Sequence, residues 1–109
     1  MRLNFYADPG HGWLAVPLTL LQRLGLIDQV SSYSYMRGRL AHLEEDCDYS
    51  LFARAMNDRG LFFTVKHHHT NKQSRIRGYD SYSPAKARGR LAYLRSFEKQ
   101  LTRPGAVVL

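Results

Sequence analysis

Turn and helix signals recur along this chain in an order that leaves few architectures open. Residues 2–7, Arg-Leu-Asn-Phe-Tyr-Ala, alternate apolar and polar side chains and suit a strand exposed on one face. Asp8-Pro9-Gly10 predicts a tight turn, with Pro presetting the first central φ and Gly taking a positive φ at the next, and Gly12–Val16 returns as a second strand. Pro17 opens a short helix over 17–24, with Leu18, Leu20, Leu21 and Leu24 on one side and Gly25 as its left-handed cap.

The order then repeats. Val30–Met36 predicts a strand with Tyr33 and Tyr35 on one face, Arg37-Gly38 a two-residue turn and Arg39–Glu44 the return, setting Tyr35 opposite Leu40 and Tyr33 opposite His42. Asp46 or Asp48 caps a second helix in which Leu51, Phe52, Ala55 and Met56 share a face and which Gly60 ends. Leu61–Lys66 is β-branched and aromatic enough to open a third unit as a strand. His69–Gln73 follows as a loop and Ser74–Tyr79 as a returning strand, Ile76 facing the core between Arg75 and Arg77. Ser83-Pro84 starts a last helix marked by Leu91, Leu94, Phe97 and Leu101, broken by Pro104-Gly105.

Hairpin connections cannot produce a parallel sheet, so the expectation is an α+β fold in ββα-ββα-ββα order, with an antiparallel sheet carrying its helices on one face. At 109 residues the chain is expected to form a single domain over 1–109. No apolar run approaches the roughly 20 residues of a membrane span. The start, MRLNFYADPGHGW, lacks a secretory pattern, and the lone Cys47 permits no intrachain disulfide, which together suggest an intracellular, cytoplasmic protein.

Charge is segregated. Residues 66–109 hold ten Lys/Arg against two acids, while residues 1–65 hold six against seven, so the parts are +8 and −1. Clustered cations gain free energy by releasing counterions from phosphate backbones. Lys66, His67, His69, Lys72, Arg75, Arg77, Lys86, Arg88, Arg90 and Arg95, interleaved with Tyr79 and Tyr82, supply cations for phosphate and flat rings for bases. They form the expected nucleic-acid or partner surface. Lys86 with Arg90, and Arg95 with Lys99, stand four residues apart and line up beside the apolar seam of the last helix. No helix-turn-helix, zinc-finger or RNP signature accompanies them, so no base specificity is implied. An acidic protein surface would satisfy the same charge.

Three other groupings suggest chemistry and also have structural explanations. On a strand, His67 and His69 share a face about 7 Å apart while His68 points away, so a metal there needs a third ligand from His11, His42 or the acids at 44–48. Asp8 and His11 can be an acid/base couple beside Trp13, although hairpin chemistry explains Asp8 and core packing explains Trp13. Glu44, Glu45, Asp46 and Asp48 can hold a divalent ion but also suit a helix start, and they disfavour a thiolate at Cys47. No catalytic residue, metal or cofactor is assigned.

The strings FYADPGHGWLAVP, SSYSY, LEEDCD and SRIRGYDSY resemble short proteins encoded on bacterial phages and plasmids. The resemblance implies a context in which small proteins bind nucleic acid or obstruct host defence complexes, CRISPR effectors among them. The expected function is that of a small basic non-enzymatic binding protein of a mobile element, contacting nucleic acid or a nucleoprotein complex. The alternative is a small metal-assisted nuclease using the histidine cluster.

Overall fold

The computed structural model describes residues 1–102. Strands β1 (Arg2–Ala7) and β2 (Gly12–Pro17) form the first hairpin, helix α1 (Leu18–Arg23) follows, and β3 (Tyr35–Arg37) and β4 (Leu40–Glu44) form the second. Helix α2 (Tyr49–Asp58), strands β5 (Thr64–His69) and β6 (Asp80–Ser81), and helix α3 (Pro84–Thr102) complete the described chain. The fold class is α+β, with one six-stranded sheet in the order β5-β1-β2-β4-β3-β6. The Pro104-Gly105 break lies outside the described residues.

Hairpins β1–β2 and β3–β4 are each followed by a helix, whereas β5 and β6 do not pair with each other. Helix α2 carries the chain past β2 to the far side of β1, where β5 lies parallel, pairing Arg2 with Thr64 through to Ala7 with His69. A parallel neighbour requires such a crossover, and the sheet is therefore mixed rather than antiparallel. Register with β1 also decides which residues are strand: Leu61 and Phe62, the apolar start of the predicted strand, are exposed, while all three histidines are paired. The predicted strand Ser74–Tyr79 is instead a 3-10 turn over Arg75–Gly78, its first N–H groups capped by the Ser74 hydroxyl, which accepts from Ile76 N at 3.2 Å. Only Asp80–Ser81 extends, and it pairs with β3 at the opposite edge from β5.

The second hairpin turns one residue later than predicted. Gly38, at φ +59°, takes the first central position of the turn and Arg39 the second, so Tyr35 faces His42 and Arg37 faces Leu40. Strand β3 is also shorter than Val30–Met36, because residues 31–34 are drawn out of line. The buried Asp48 carboxylate accepts hydrogen bonds from Ser31 N at 3.1 Å, Ser31 Oγ at 2.7 Å and Ser34 Oγ at 2.5 Å. It occupies the cap position of α2 without capping the helix.

One core fills the helix side of the sheet. Leu3 and Phe5 of β1, Leu14 and Val16 of β2, Met36 of β3, and Ala41 and Leu43 of β4 meet Leu18 and Leu21 of α1, Phe52 and Met56 of α2, and Ala87 and Leu91 of α3. Each of the larger side chains, the alanines apart, contributes about 2 kcal/mol on leaving water. Alternation places Tyr6, Trp13, Ala15, Tyr35, His42 and Glu44 on the opposite face. Trp13, Ala15, His42 and Glu44 are nevertheless buried there, so something other than a helix covers them.

Candidate nucleic-acid interface

Over Trp13 and His42 the cover is the segment from Thr70 to Tyr79, and Asp8 holds it in place. Oδ1 of Asp8 accepts from Gly10 N and His11 N, each at 3.0 Å, as the hairpin chemistry predicts. Its other contacts reach across the sheet: Oδ2 accepts from Ser74 N at 3.0 Å and from Arg77 Nε at 2.7 Å, while Arg77 Nη2 donates to Oδ1 at 3.0 Å. The bidentate guanidinium holds the Asp8 carboxyl far below the usual carboxylate range, against the opposing effect of burial, and the backbone N–H groups add to the lowering. Gly10 does not have the positive φ expected of it. Its missing side chain instead admits the guanidinium, because a Cβ there would lie 2.9 Å from Arg77 Nη2. Arg77 also lies over the Trp13 ring, 5.3 Å from its centroid, which leaves Trp13 as a buried floor.

Between this strap, the open sheet face and the β3–β4 turn lies a cleft of about 1070 Å³. Arg37 and Arg39 stand on the turn side, Lys72 and Arg75 on the strap side, and no Asp or Glu lines the space. Tyr6, His42, Ile76 and Tyr79 contribute rings and apolar surface between the cations. Tyr79 is held edge-on to His42 with centroids 5.2 Å apart and carries the Arg37 guanidinium over its face at 5.0 Å. Tyr6 stacks on His68 at 4.7 Å and 20°, and His68 shares a 3.0 Å hydrogen bond with Asn4. The turn is itself braced from the helix side, where Arg90 Nη1 donates to the Gly38 carbonyl at 2.6 Å.

His42 is 5% exposed, and its Nδ1 has no hydrogen-bond partner. Burial pushes its pKa down to about 4, so the ring is neutral near pH 7. A buried polar atom without a partner costs about 1–3 kcal/mol and is uncommon in native proteins. Among the described residues, Trp13 Nε1 is the other buried side-chain atom in this condition.

The structure divides the expected surface rather than assembling it. Lys72, Arg75 and Tyr79 meet at the cleft, and Lys66 is exposed on the same sheet face. Arg77 is committed to Asp8. Tyr82 is no contact residue: it is buried, its hydroxyl donates to the Ile27 carbonyl at 2.5 Å, and burial raises its pKa to about 12. Lys86, Arg88, Arg90 and Arg95 belong to α3 on the helix side, where Arg88 pairs with Asp28 and Arg90 braces the turn. Residues 66–95 are thus two basic groups on opposite faces. Arg37, Arg39, Tyr6 and His42 were the members missed. Three of the four fit outward alternation, yet they lie in the half of the chain without net positive charge, and Arg37-Gly38 is sufficiently explained as a turn.

The histidine run does not gather a metal site. His67 faces the helix side and packs edge-on to Phe5 at 5.6 Å, while His69 contacts Asn71 at 3.0 Å. Neither joins a group of three metal-ligating side chains among the described residues. The grouping that does occur, His11 with Glu44 and Asp46, surrounds a smaller cavity of about 320 Å³. There His11 Nδ1 lies 3.2 Å from Glu44 Oε1, and Glu44 Oε2 accepts from Asp46 N at 2.9 Å. Cys47 lines the same cavity, and its thiol pKa is raised by its hydrogen bond to Glu44, with desolvation and the neighbouring acids adding to the effect, which disfavours the thiolate. Among the described residues no helix is long and apolar enough to cross a membrane. Comparison with known proteins found no matching family model, no matching curated protein and no matching solved structure.

Proposed function

We propose that the chain is a small basic binding protein that contacts nucleic acid, alone or within a nucleoprotein complex, through the cleft beneath the 70–79 strap. The observation that carries this reading is a lining with four cations and no carboxylate. Such a group repels itself until an anion enters, and phosphates spaced along a strand satisfy several cations at once while releasing their own counterions. Tyr6 and Tyr79 add flat surface between the charges. Catalysis is not part of the reading. The resemblance to phage and plasmid proteins extends it to a mobile-element product that occupies the nucleic acid, or the nucleic-acid channel, of a host defence complex such as a CRISPR effector.

The test is a salt series. Binding of a labelled single-stranded oligonucleotide, followed by fluorescence anisotropy, should weaken with a slope of about −2 to −3 in log affinity against log salt, as three or four neutralised phosphates require. A flat response, or no binding at low salt, contradicts the proposal.

A further inference from the structure

The rim of the cleft and its floor ask for different things from a ligand. Arg37, Arg39, Lys72 and Arg75 require negative charge, and inorganic phosphate would supply it. His42 also lines the cleft, 5% exposed, and its Nδ1 is buried and unpartnered, so a ligand meets that nitrogen only when the surrounding side chains move aside; rim-bound phosphate would leave it unpartnered. A purely apolar ligand would match Ile76 and the tyrosine rings but leave both the cations and His42 unsatisfied. What satisfies all three levels is a flat heteroaromatic ring with hydrogen-bonding atoms on its edge, carried on a phosphate chain. The volume of about 1070 Å³ is ample for one such ring, since pockets for small organic ligands span roughly 300–1,000 Å³.

We infer that the cleft takes an unpaired base of a single-stranded nucleic acid, its edge hydrogen-bonded to His42 Nδ1 once the ring turns toward the cleft, and its flanking phosphates held by Arg37, Arg39, Lys72 and Arg75. This rests on the nucleic-acid reading and narrows it. In a duplex the Watson–Crick edges are paired and the rings are stacked, so a base enters the cleft only by being flipped out at a cost, and an intact duplex offers the rim its phosphates but seats no base. The floor therefore selects single strands, while the rim binds any polyanion.

Anisotropy titrations would use a labelled decamer, the same decamer with abasic central positions, a duplex of equal length and inorganic polyphosphate as competitor, all at one salt concentration. Loss of one seated base should weaken binding about tenfold or more, and the duplex should bind about as weakly as the abasic strand. His42→Phe keeps a ring at the floor and removes its nitrogens. It should lower affinity for the intact strand several-fold and leave the abasic strand unchanged, with folding checked by thermal melting. Equal affinity for intact, abasic and duplex forms overturns the base pocket and leaves phosphate binding standing. Absence of salt-sensitive binding to every form overturns both. Should His42→Phe not fold, the abasic comparison on the unaltered protein decides alone.

Discussion

Asp8 shows how one residue serves two structures. Its Oδ1 contacts to Gly10 N and His11 N are local, and the sequence Asp-Pro-Gly announces them. The bonds to Ser74 and Arg77 join residues more than sixty positions apart, and no local pattern encodes them. Asp8→Ala should therefore lower stability by about 2 kcal/mol in urea unfolding and open the 70–79 strap to limited proteolysis before the rest of the chain. An intact strap in that variant would contradict the clamp. His42 gives a prediction in pH. Its folded pKa of about 4 lies below the ordinary 6.5, so the unfolded chain binds the extra proton between these values. The stability from keeping the ring neutral is complete above pH 6.5 and is lost as pH falls toward 4. The loss amounts to roughly 3 kcal/mol at about 1.4 kcal/mol per pH unit. The acid limb of Asp8 lies lower, below its ordinary 3.8. Urea midpoints measured from pH 7.5 to 4.5 should fall in the natural protein and fall less in His42→Phe; equal slopes would contradict the assignment.

At the scale of elements, what was legible in the sequence is what short-range chemistry determines. Leu18, Leu21 and Gly25 mark α1, Phe52, Met56 and Gly60 mark α2, and Ser83-Pro84 opens α3, with the Ser83 hydroxyl accepting from Lys86 N at 3.1 Å. The misses fall where a partner distant in sequence decides. The extent of β5 follows its register on β1 rather than the β propensity of Leu61–Lys66, and residues 74–79 coil because Asp8 and the Ser74 hydroxyl take their N–H groups. Strand β3 begins late because Asp48 holds Ser31 and Ser34 instead of capping α2. Gly12 belongs to this scale as well. A Cβ there would lie 2.3 Å from Phe5 Cζ and 2.5 Å from Glu45 Oε2, on the strand that enters the core. Gly12→Ala should cost about 2 kcal/mol by overpacking, read as a lower melting temperature, whereas Gly10→Ala makes one milder overlap, 2.9 Å from Arg77 Nη2, and should cost less. The reverse ranking would contradict the packing described here.

For the whole molecule, the sheet separates two basic populations that the sequence runs together. The strap and the β3–β4 turn bring Lys72, Arg75, Arg37 and Arg39 around one cleft on the open face, though Arg37 and Arg39 come from the part of the chain with a net charge of −1. Helix α3 carries Lys86 and Arg95 on the other side, behind the core residues Ala87 and Leu91. Charge counted along the chain located the basic half but not the face, because facing depends on pairing and on the Asp8 clamp. The most direct measurement is the salt slope of oligonucleotide binding for two charge-matched double variants, Lys72→Ala/Arg75→Ala and Lys86→Ala/Arg95→Ala. Each removes two positive charges, so a response to net charge alone would treat them alike. A nucleic-acid cleft beneath the strap predicts a slope shallower by about 1.4 for the first pair and little change for the second. Equal slopes in both variants, or a loss confined to the α3 pair, would contradict it.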